Sequence, residues 1–172
     1  MKFEERLAGG HPNSLGNTVE IVEEVLREPA RFDEFFNCYF SKDEVVRLRV
    51  SNGMKRICAV NSPLMVPYID RFLDDIAQIG QASTKWTLAQ LFLMLETDLT
   101  ENQKTKAKQI LKENLITESD WIVLHQTMET LGKWSKDDKE LKAWIQPHLR
   151  VLAADTRKSV SKKALKTFRL LN

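Results

Sequence analysis

The chain is poor in every residue type that marks a specialised class of protein. Its two cysteines, Cys38 and Cys58, are not in a C-x-x-C and have no histidine beside them. That spacing suits neither a disulfide framework nor a zinc site, and it reads as two small buried thiols in a reducing, cytoplasmic setting. Six glycines and five prolines in 172 residues exclude a collagen-like or low-complexity chain. No apolar run reaches the roughly 18 residues that a membrane span needs, and the best stretch, Trp86 to Leu95, is short and holds Gln90. The opening Met1-Lys2-Phe3-Glu4-Glu5-Arg6 carries acids and no apolar core, so it does not read as a secretory leader. Strand-like alternation is also missing. Hydrophobic residues at 42% and charged residues at 29% are ordinary for a packed domain and too apolar for a disordered tail.

Catalytic signals are equally sparse. His11, His125 and His148 have no ligand spacing with cysteines or carboxylates. Asp70, Asp74 and Asp75 cluster without a histidine or a second acidic group and read as a solvated helix face. No G-x-S-x-G nucleophile motif occurs. The expectation is a non-enzymatic protein with no cofactor and no metal.

Helical periodicity is what the sequence does have. Apolar residues recur at three and four nearly throughout. Polar residues that can cap a helix punctuate them: Asn17 before Glu20, Ser41 before Glu44, Thr100 before Gln103, Ser135 before Asp138. Ser62-Pro63 reads as a cap followed by a first-turn proline. These signals predict helices near 18–27, 31–40, 43–60, 64–79, 84–97, 102–115, 118–132, 138–153 and 157–171. Pro147 falls inside one of them and should bend or split it, and Pro67 marks either a bend or a later helix start.

A longer period decides how such helices are arranged. Stepping 4, 8 and 11 residues from Val46 gives Val50, Met54 and Ile57. The same steps from Thr84 give Leu88, Phe92 and Leu95, from Asp120 Leu124, Met128 and Leu131, and from Val160 Ala164, Phe168 and Leu171. Every stepped position is apolar, and the anchors lie 38, 36 and 40 residues apart. Each anchored helix follows a partner helix with its own apolar face. A lone pair cannot bury that face, whereas stacked pairs share one core.

The first unit carries a family likeness. Phe35-Phe36 … Phe40-Ser41-Lys42-Asp43-Glu44-Val45-Val46-Arg47 … Val50 … Met54 … Ile57 resembles a HEAT repeat, with an Asp in the turn and a Val-Arg pair opening the second helix. Asp155 … Val160-Ser161-Lys162-Lys163-Ala164-Leu165 … Phe168 is a looser echo. The middle units have Thr84-Lys85 and Asp120-Trp121 where the pair would stand. The resemblance implies an all-α fold: a right-handed α-α superhelix of about four helical pairs over residues 31–172, which with an N-terminal helix at 18–27 makes a single domain, residues 18–172. Residues 1–17 form a separate N-terminal segment with a Gly-rich connection, Gly9 to Asn17. The resemblance also implies a scaffold for protein–protein interaction rather than an activity.

Charge suggests where a partner would sit. Residues 1–61 carry −1, residues 62–102 carry −4 and residues 103–172 carry +7. One residue past each anchor lies a ridge on which Arg47, Lys85, Trp121 and His125 would align if the pairs stack in register. Such a strip suits an acidic peptide or a phosphate backbone. Arg47 could instead ladder with Asp43 one turn back, and Trp121 could instead fill the core. On the last helix, Lys158, Lys162, Lys166 and Arg169 line the side opposite Val160, Ala164, Phe168 and Leu171. That stripe is either the polar outer face of a terminal repeat or a site for phosphate or a membrane surface. The leading expectation is a monomer that binds a protein partner. The alternative is a nucleic-acid-binding module using the basic C-terminal third. A third reading takes Asp120 and Trp121 as the acid and aromatic of a HEAT-like DNA glycosylase.

Overall fold

A computed structural model describes residues 1–172 and is all-α, with no strand and no cis peptide bond. The helices are α1 (Phe3–Leu7), α2 (Thr18–Arg27), α3 (Phe32–Asn37), α4 (Glu44–Asn61), α5 (Ile69–Asp74), α6 (Ala82–Met94), α7 (Glu101–Thr117), α8 (Trp121–Trp134), α9 (Lys139–Ala153) and α10 (Lys158–Leu171). No helix is long and apolar enough to cross a membrane. The chain forms two compact units, Met1–Leu99 and Thr100–Asn172. In the first, short helices alternate with longer ones; in the second, four helices of 14 to 17 residues follow one another; both are in keeping with an α-α superhelix.

In the first unit the second helices α2, α4 and α6 lie side by side, with α4 in the middle. Val46, Val50, Met54 and Ile57 of α4 are all fully buried, as are Thr84, Leu88, Phe92 and Leu95 from α6 and its end. Aromatic rings join the first helices. Phe3 of α1 meets Phe35 of α3 edge-on at 6.2 Å, and Phe36 of α3 meets Phe72 of α5 at 5.1 Å. Gly53 sits where α4 passes closest to α2 and α3: a Cβ there would stand 2.5 Å from the Phe35 ring and 3.2 Å from Val22.

In the second unit α7 packs on α8, α9 on α10, and α8 against α10. Leu124, Met128, Leu131, Val160, Ala164 and Leu171 are buried, while Phe168 is half-buried under Arg150, whose guanidinium lies 5.4 Å from its ring. Gly132 permits the α8–α10 approach, since a Cβ there would stand 2.5 Å from Thr167 Cγ2. Glu129 of α8 accepts an ion-paired hydrogen bond from Lys163 of α10, and Lys163 is 8% exposed.

Several local expectations change. Residues 64–79 form not one helix but α5 between 3-10 turns at Val66–Tyr68 and Ile76–Gln78. Pro67 occupies the first turn of the earlier one, so it marks a start. Pro147 leaves α9 continuous: it lies on the exposed face, where water can solvate the carbonyl it frees. The Thr100–Gln103 capping box forms as expected. Elsewhere aspartates cap. Asp43 accepts from Val45 N, Asp120 from Ile122 N and Val123 N, and Asp138 from Leu141 N. Ser135 instead donates back to Leu131 O at the end of α8 (2.7 Å). Asn17 Nδ2 donates to Arg6 O (2.9 Å), binding α1 to α2.

Candidate basic and aromatic surface

Arg47 and Lys85 belong to the first unit. Arg47 does not ladder with Asp43, whose carboxylate is taken by its capping bond. It donates from Nη1 to Ser41 O (2.5 Å) and from Nε to Gln81 Oε1 (2.6 Å). Gln81 returns a bond from Nε2 to Glu44 O (2.9 Å). The pair therefore stitches the start of α4 to the start of α6. Lys85 stands one turn beyond Gln81, half-exposed on α6.

The other six predicted residues, Trp121, His125, Lys158, Lys162, Lys166 and Arg169, all lie in the second unit, on α8 and α10. Trp121 is 49% exposed in the first turn of α8 and is not a core residue. Asp120 ends the preceding extended residues and caps the helix, so the ring is held at a fixed point rather than on a loose tip. Arg157 clamps the two helix starts together. It donates from Nη1 to Ser119 O, just before α8, while its Nε and Nη2 hold both oxygens of Asp155 (2.9 and 2.8 Å). Those bonds, and the Arg157 amide, hold the Asp155 carboxyl down to about 2. Trp121 thus stands beside the first turn of α10.

One turn along α8, His125 is half-buried. Burial first, then the ammonium groups of Lys163 and Lys166, hold its pKa below the ordinary imidazole value against the opposing pull of Glu129. The ring is therefore neutral at neutral pH, and it contributes polarity and area rather than charge. Glu129 accepts from Lys163 and from Lys133 (2.9 Å), which bring its carboxyl down to about 2.

On α10 the division of labour among the lysines is sharp. Lys163 is buried and spent on Glu129. Lys158, Lys162, Lys166 and Arg169 are exposed and make no ion pair. They occupy successive turns of one side, so four cations run along about 17 Å of helix axis at 1.5 Å per residue. Leu165, 42% exposed, and Leu170, 56% exposed, stand in water on the same helix.

The remaining reactive groups are tied up. Burial pushes the Cys38 thiol up to about 12 and the Cys58 thiol up to about 11, far from a nucleophilic thiolate at neutral pH. No three His, Cys, Asp or Glu side chains gather as metal ligands. Sequence reasoning missed Arg49, which is 2% exposed and donates to the carbonyls of Leu7, Gly9, His11 and Ser14. The Gly-rich connection is wound around this one guanidinium. Gly9, Gly10 and Gly16 have φ of 74°, 76° and 51°, and a Cβ on Gly16 would stand 2.9 Å from the guanidinium carbon. Three glycines in eight residues were the one available signal that the segment was shaped by something.

No family model matches the chain, and no curated protein matches it. Among solved structures it is similar to a designed armadillo repeat protein, YIII(Dq)4CqI, at 13% identity over 98% of each chain, with a TM-score of 0.42.

Proposed function

We propose that the chain is a non-enzymatic, HEAT-like scaffold that recognises an acidic protein surface through α10 and the start of α8. The observation that carries this reading is the row Lys158, Lys162, Lys166 and Arg169, exposed and without counter-charge, beside the half-exposed Trp121. Folding has no need of these cations: the one lysine that α10 uses structurally is Lys163. Exposed Leu165, within the same row, favours a protein partner over a phosphate backbone. Protein interfaces combine apolar anchors with a polar rim, whereas non-specific duplex binding draws on charge alone. Arg47 has a structural role, and its charge reversal should act on stability before it acts on binding.

The test is fluorescence anisotropy of a labelled acidic peptide containing leucine or phenylalanine, set against a DNA duplex and against oligoglutamate. The reading expects the apolar-acidic peptide to bind best, and the double variant Lys162→Glu/Lys166→Glu to lose most of the binding with unchanged helicity. A duplex that binds more tightly than the peptide, with affinity collapsing as salt rises, would move the assignment to nucleic acid.

A further inference from the structure

Arg49 is almost fully buried and has no carboxylate partner. Its hydrogen bonds run only to main-chain carbonyls: Leu7 (2.5 Å), Gly9 (2.6 Å), Ser14 (3.1 Å) and His11 (3.3 Å). Carbonyl dipoles solvate a guanidinium, but they leave its unit charge in place. Buried charges are ordinarily paired, so an unneutralised one needs a reason. Arg49 also lines a cavity of about 300 Å³ between the Gly-rich connection, α4 and α6. Leu15, Leu48 and Trp86 give that cavity apolar walls, and no acidic residue lines it. Asn52 adds a polar group. Its Oδ1 is taken by Arg56 Nε (2.7 Å), so what it offers a ligand is its N–H₂ donor.

The cavity is at the small end of the range for ligand sites, roughly 300–1,000 Å³. It combines apolar walls with an uncompensated cation and a spare donor. We infer that it binds a small apolar monocarboxylate, whose acid group supplies the counter-charge that Arg49 lacks and whose body packs on Leu48 and Trp86. The site lies wholly in the first unit and is independent of the α10 surface.

Removing Arg49 would release the connection as well as the charge, so the decisive comparison keeps the wild-type chain. Benzoate and its neutral analogue benzamide are titrated separately, followed by backbone amide shifts. Benzoate should perturb residues 13–15, 48–52 and 86, and should bind at least about tenfold more tightly than benzamide, because only the anion gains from a charge in a partly desolvated site. Asn52→Asp keeps the acceptor for Arg56 and places a negative charge in the cavity. It should weaken benzoate at least about tenfold more than it weakens benzamide, because both ligands lose the Asn52 donor but only the anion also meets the added charge. Equal affinity for the two compounds, or benzoate shifts outside these residues, would overturn the assignment.

Discussion

At the scale of single residues, one absent side chain, that of Gly53, matters as much as any present. A glycine inside a helix ordinarily costs about 1 kcal/mol relative to alanine. Gly53 reverses that sign, because its Cβ would enter the fully buried Phe35 ring. Gly53→Ala should therefore destabilise the protein by about 1–3 kcal/mol, the usual cost of overpacking, in urea unfolding. Gly80→Ala, with nothing within 4 Å of the added carbon, should be near neutral in the same assay. The close contact at Gly53 was not legible in the sequence, since helix-interior contact depends on which helix passes there, whereas Gly80 lies in the connection before α6. Arg49 was hidden for the same reason. Its partners are carbonyls 35 to 42 residues away, and a carbonyl cage leaves no mark on residue type.

At the scale of elements, the caps and one ion pair govern how the helices begin and dock. Asp120 accepts from two orphan amides of α8, so Asp120→Ala should cost about 1 kcal/mol of stability, read as a lower thermal midpoint. Glu129 couples α8 to α10 with a definite pH signature. Its folded pKa, about 2, lies below the ordinary 4.5, so its contribution is fully present above pH 4.5 and is lost as pH falls toward 2. Glu129→Gln should flatten that part of the stability–pH curve and lower stability at neutral pH by leaving Lys163 buried without its partner. The long helices were legible because their apolar steps of four, four and three are a direct image of helix geometry. Eleven of the twelve stepped side chains are buried, and only Phe168 is partly exposed. The 64–79 segment was not legible as fragments. Its apolar spacing continues through 3-10 turns, whose period is close to that of an α-helix. The choice of Ser41 and Ser135 over Asp43 and Asp138 failed because neighbouring polar residues compete for the same orphan amides, and local chain direction decides between them.

At the scale of the whole molecule, the uneven charge was visible from the sequence. Which charges are free was not. Lys163 and Lys166 are indistinguishable by type, yet one is buried against Glu129 and the other stands in water. Likewise Trp121 gives no sign in the sequence of being half-exposed, because its position depends on the clamp that Arg157 makes to Ser119. The functional reading rests on the difference between cations that hold the fold and cations that do not. The most direct measurement is a map of backbone amide shifts as the labelled apolar-acidic peptide is added to the intact chain. The account predicts perturbations confined to residues 158–170 and the first turns of α8, fading as salt is raised. Perturbations concentrated in the first unit, or shifts that persist unchanged in Lys162→Glu/Lys166→Glu, would contradict it.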